Sequence, residues 1–90
     1  MLCQENIRLK NRLGLRLKTL AELVKIASQY HSRIKIGYGP IEVNGKNLLA
    51  LLTLSFSYGM KVTLSAEGED AQEALDAIKQ FLKNQFGEVG

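Results

Sequence analysis

The chain has one cysteine, Cys3, one histidine, His31, and no tryptophan among its 90 residues. A lone cysteine excludes an intramolecular disulfide, and nothing in the composition calls for an oxidising compartment. His31 has no second histidine or paired carboxylate beside it in the sequence, so it reads as a solvated helix-end residue. No metal cluster can be assembled from such a set, and no cofactor is expected. Apolar runs stay well short of the ~18 to 20 residues of a membrane span. The start of the chain also lacks the charged-then-apolar layout of a signal peptide, and the expectation is a soluble cytoplasmic protein. Aromatics are scarce where they would matter for nucleic acid: Tyr30 and Tyr38 lie far along the chain from the basic Arg12–Lys18 stretch. Without stacking residues or a reading motif, nucleic acid is not an expected partner.

What the chain does have is 46% apolar residues, enough for one modest core and a single domain over residues 1–90 without metal or disulfide staples. The net charge of +3 conceals a division. Met1 to Lys46 hold nine Lys/Arg against three Asp/Glu, whereas Asn47 to Gly90 hold three against six. The basic half contains the stretch around which the chain is organised, Asn11-Arg12-Leu13-Gly14-Leu15-Arg16-Leu17-Lys18-Thr19-Leu20. There an alternating strand gives way to an amphipathic helix, with Gly14 permitting the turn. The first N–H groups of such a helix attract anions.

Taken in order, Asn6-Ile7-Arg8-Leu9-Lys10 alternates as a half-buried strand with Ile7 and Leu9 on one face. Leu20, Leu23, Val24 and Ala27 then form the buried stripe of a helix, with Lys18, Glu22, Lys25 and Gln29 opposite, and Tyr30-His31-Ser32 ending it. Arg33–Ile36 and Ile41–Val43 read as two strands joined at Tyr38-Gly39-Pro40, the second closed by Asn44-Gly45. Asn47 is a candidate cap for a dense apolar helix, Leu48 to Leu54, some of which must face outward. Met60, Val62, Leu64 and Ala66 alternate as a fourth strand after Gly59. Asp70 and Glu73 have capping-box spacing. They precede a stripe of Ala71, Ala74, Leu75, Ile78 and Leu82, with Lys79 and Lys83 near the negative helix end and Gly87 as terminator. Four short strands in the order βαββαβα imply an α+β fold, an antiparallel sheet covered on one face by three helices.

The Asn11-x-x-Gly14-Leu15 motif resembles that of HPr, the phosphocarrier family of the bacterial sugar phosphotransferase system, which reads Asn-x-x-Gly-Leu-His-Ala-Arg-Pro. Val43-Asn44-Gly45-Lys46, Val62-Thr63-Leu64 and Ala66-Glu67-Gly68-Glu69-Asp70-Ala71 also follow the family's manner, in the same order and spacing. The resemblance implies an open-faced β-sandwich with four antiparallel strands and three helices on one face. It further implies a non-enzymatic protein that meets phosphotransferase-system components. Arg16 stands where the family has its phosphoryl-accepting histidine, and a guanidinium offers donors and charge but no nucleophilic lone pair. Leu17, Lys18 and Thr19 replace the usual alanine, arginine and proline. Asn47 replaces the regulatory serine, keeping a capping oxygen without an acceptor for phosphorylation.

The same resemblance places the docking surface on the outer side of the first helix and the apolar second helix, at Lys18, Ala21, Glu22, Lys25, Leu48, Leu49 and Leu52. Leu51 and Leu54 read as core, whereas Leu48, Leu49 and Leu52 either complete the core or form an exposed patch. Arg16 reads either as a solvated surface arginine or, with Arg12 and Lys18, as a site for a phosphate, a carboxylate or an acidic partner. A cation at a helix start otherwise costs roughly 0.3 to 1 kcal/mol against the macrodipole. Three functions follow: a protein-binding regulatory relative that is not itself phosphorylated, a small-anion or phosphometabolite sensor, and a self-associating structural subunit.

Overall fold

Met60, Val62, Leu64 and Ala66 are all buried, and the strand that carries three of them is the spine of the sheet. The computed structural model describes residues 1–8, 17–54 and 60–86, the last four of these by backbone alone. The elements are β1 (Leu2–Arg8), α1 (Leu17–Ala27), β2 (Arg33–Tyr38), β3 (Ile41–Asn44), α2 (Leu48–Leu52), β4 (Lys61–Glu67) and α3 (Ala71–Phe86). All pairings are antiparallel in the order β1-β4-β2-β3, so β4 is flanked on both sides. The fold is the expected open sheet with three helices, and its core lies between them. Ile7, Ile34, Ile36, Val62 and Leu64 meet Leu20, Leu23, Leu51, Leu75, Ile78 and Leu82 there. Burying each such side chain contributes about 1.5–3 kcal/mol of transfer free energy.

Local chemistry accounts for the turns. Gly39 takes φ 59° between the paired residues Tyr38 and Ile41, a sign that glycine adopts without a Cβ penalty. Gly45 donates to the Ile34 carbonyl at 2.8 Å, and an added Cβ there would come within 2.7 Å of the Ile34 side chain. Glycine is therefore required by close approach as the chain leaves β3.

Several boundaries differ from the sequence reading. The first strand begins at Leu2 rather than Asn6, because its inner face also carries Cys3 and Glu5. Leu9 and Lys10 lie outside the described residues, as do Gly14, Gly59 and Gly87. The first helix ends at Ala27, so Tyr30, His31 and Ser32 belong to the connection into β2. The second and third strands run on to Tyr38 and Asn44. The second helix stops at Leu52, with Thr53 as its C-cap. Lys79 does not serve the negative end of α3, since the helix continues to Phe86; it pairs with Glu5 of β1 at 2.6 Å. Both partners are more than a third exposed, which leaves the pair about 0.2–1 kcal/mol. Asp70 does precede α3, and its carbonyl accepts from Ala74 N at 2.9 Å. Its carboxylate, however, is engaged across the fold by His31 and Ser32.

Candidate docking surface

On α1, Leu20, Leu23 and Ala27 turn into the core and force the residues at helical spacing between them outward. Lys18, Ala21 and Lys25 are exposed and Glu22 is half-buried, so the expected stripe lies on the solvent side. No acidic residue stands in the first turn of α1. Leu17, which the sequence reading passed over, opens that turn 59% exposed. Its only sequence signal is a leucine where the resembled family has alanine.

The start of α2 is set by Asn47. Its backbone is extended, φ −121° and ψ 108°, and its side-chain Oδ1 accepts from Ala50 N at 3.2 Å. At the other end, Thr53 donates through its hydroxyl to the Ala50 carbonyl at 2.6 Å. A helix this short, pinned at both ends, has one orientation on the core, and Leu51 and Leu54 fill it. Leu49 is consequently 75% exposed and Leu52 42% exposed. Leu48 is only half-buried and packs against the core cluster, so it contributes less to any outer patch than its two neighbours. The helices α1 and α2 are neighbours, which brings a basic stripe and a leucine patch onto adjoining surfaces.

Of the three anion-site candidates only Lys18 is placed, exposed in the first turn of α1; Arg12 and Arg16 lie outside the described residues. His31 is exposed in the connection between α1 and β2. Among the described residues no group of three or more His, Cys, Asp or Glu side chains is disposed to hold a metal ion. No helix among them is long and apolar enough to cross a membrane.

Comparison with known proteins gives this surface its context. The family model for the PTS HPr component phosphorylation site matches residues 3–84. The phosphocarrier protein HPr of Cupriavidus necator is 33% identical over 85 residues, covering 94% of this chain and 96% of that protein. The HPr-like protein Crh of Bacillus subtilis is 30% identical over 82 residues, 91% of this chain and 96% of its own length. The crystal structure of HPr-C-His from Thermoanaerobacter tengcongensis superposes with a TM-score of 0.88 at 35% identity, over 96% of this chain and 97% of that one. The Cupriavidus necator relative is a phosphocarrier, and HPr phosphocarriers are carriers rather than enzymes. Since the likeness runs from β1 into α3 in both sequence and structure, the chain belongs to the HPr family of the phosphotransferase system.

Proposed function

We propose that this HPr-family chain is a regulatory relative that binds protein partners of the phosphotransferase system and does not itself accept a phosphoryl group. Docking uses Lys18, Ala21, Glu22 and Lys25 of α1 together with Leu49 and Leu52 of α2, with Leu48 at the margin. The observation that supports this reading best is Leu49, 75% exposed on a helix whose other leucines include core residues. With Leu52 42% exposed on the same helix, it makes an apolar patch of the kind that marks interaction sites. The lack of a phosphoryl acceptor is inferred from sequence. Arg16 occupies the place of the family's histidine, and Asn47 that of its regulatory serine. The similarity to the HPr-like protein Crh is in keeping with a regulatory role.

The test pairs two measurements on the full chain. Incubation with Enzyme I and radiolabelled phosphoenolpyruvate is expected to leave the protein unlabelled. A pull-down from host lysate is expected to retain Enzyme I or sugar permease components on the wild type and to lose them on Leu49→Asp. A stable radiolabelled phosphoprotein would sink the proposal, as would retention that ignores the substitution.

A second reading, self-association, draws on β1. Among the described residues this strand pairs on one side only, with β4, which leaves its other edge without a ladder partner along seven residues. The homologous Crh has been described as a swapped dimer. Light scattering separates the two readings, because a monomeric mass excludes the second.

A further inference from the structure

A half-open concavity of about 450 Å³ lies between the α1–β2 connection and the β3–α2 turn, lined by His31, Arg33, Lys35, Glu42, Asn44 and Lys46 among others. The volume is within the ~300–1,000 Å³ of small-molecule sites. Its charge is one-sided. Three cations face a single carboxylate, and that carboxylate, Glu42, already pairs with Lys35 at 3.4 Å. Arg33 and Lys46 have no ion-pair partner among the described residues.

Both walls are fixed before any ligand arrives. His31 and Ser32 donate their backbone N–H groups to the two oxygens of Asp70 at 2.8 and 2.9 Å. On the other side, Gly45 N donates to the Ile34 carbonyl at 2.8 Å and Lys46 N to Asn44 Oδ1 at 2.9 Å. The walls are then joined, because the Lys46 ammonium donates to the Tyr30 carbonyl at 2.6 Å. An ammonium has three N–H donors, so two remain for a ligand. Holding the cations in advance lowers the ordering cost of binding.

We propose that this concavity binds a phosphoryl dianion, free or carried on a small metabolite, with Lys46 and Arg33 on its oxygens and His31 donating at the rim. Arg33 supplies a planar fork and Lys46 a point charge, a pair that a group with three acceptor oxygens satisfies at once. The site lies beyond the far end of α1 from Lys18. The eleven residues of that helix put Lys18 roughly 16 Å away at 1.5 Å per residue.

The experiment is an NMR titration of the amide resonances of the full chain, with inorganic phosphate in one arm and glycerol 3-phosphate in the other. In at least one arm, saturable shifts are expected at His31, Ser32, Arg33 and Lys46, with Lys18 and Ala21 unmoved. The tighter arm identifies the source of the phosphoryl group. Lys46→Met and Arg33→Gln are each expected to weaken binding about tenfold, the scale of one charge-assisted hydrogen bond. Both spectra should remain those of a folded protein, since Arg33 is exposed and Lys46→Met keeps the aliphatic stem. Lys18→Gln is expected to leave the affinity unchanged. Absence of saturable shifts in both arms would overturn the proposal. So would shifts that sodium chloride reproduces at equal ionic strength, or affinities that both substitutions leave intact.

Discussion

Ser32 gives both of its donors to one carboxylate: its N–H reaches Oδ1 of Asp70 at 2.9 Å, and its hydroxyl donates to the same oxygen. The other carboxylate oxygen takes the N–H of His31. A position just before β2 is thereby joined to one just before α3. These bonds favour the ionised carboxylate. The Ser32 hydroxyl contributes most, the His31 N–H next, and together they outweigh the opposing cost of partial burial, lowering the Asp70 pKa from 3.8 to about 2.

A carboxylate whose folded pKa is depressed contributes stability above its unfolded value, near ~4, and that contribution is lost as the pH falls toward the folded value. Thermal unfolding is therefore expected to show Asp70→Asn less stable than wild type at pH 6, with the gap closing between pH ~4 and ~2. Asn retains one acceptor oxygen but does not titrate. A gap that stays constant down to pH ~2 would contradict the assignment.

Gly68 meets the same junction from the end of β4. Its φ is 148°, and an added Cβ would lie 2.6 Å from Ser32 Oγ and 2.9 Å from Ser32 Cα. Backbone strain and the clash act together, so Gly68→Ala is expected to cost about 1–3 kcal/mol. The check is a lower denaturant midpoint with an unchanged slope.

Leu49 and Leu51 stand two positions apart on α2 with opposite environments, 75% and 0% exposed. Leu51→Ala is expected to destabilise by about 2–5 kcal/mol through lost transfer free energy and the cavity left behind. Leu49→Ala is expected to stay within about 0.5 kcal/mol. Equal losses in chemical denaturation would return Leu49 to the core and remove the support for docking.

Arg16→His supplies the nucleophile that the proposed function says is missing, yet it leaves Lys18 and Thr19 in place of the family's arginine and proline. Phosphoryl transfer depends heavily on positioning, and a misplaced group costs about a hundredfold. Transfer from Enzyme I to this variant is thus expected to remain about a hundredfold or more below that of a histidine-bearing relative. Comparable rates in a radiolabel assay would show that the neighbouring residues do not matter.

Much of the fold was legible because apolar spacing is local information. Met60, Val62, Leu64 and Ala66 alternate without exception, and Ala71 to Leu82 keep a single helical stripe. The first half of β1 was not legible, because Glu5 interrupts the apolar alternation of its inner face; it sits at the solvent margin of that face beside Lys79 of α3. The Asp70 spacing announced a cap, but its partners Ser32 and His31 are tertiary neighbours that no local pattern reveals. For the docking surface, sequence supplied the leucines of α2, whereas the fold assigned Leu51 inward and Leu49 outward. The concavity beside Lys46 left no trace in the sequence, since its residues come from two paired strands and the connections that flank them.

Glu67 lies across from Leu2 on one side and from Arg33 on the other, because β4 is inserted between two strands that both precede it in the chain. On a ribosome, β1 and β2 emerge with no ladder to each other and wait for the strand that separates them. Only the β2–β3 hairpin can close early. Most of the sheet therefore forms in one late step, gated by the delivery of β4 from sequence-distant positions. Until then a nascent chain carries a seven-residue strand with neither edge covered, the interval in which neighbouring chains on one message can capture one another.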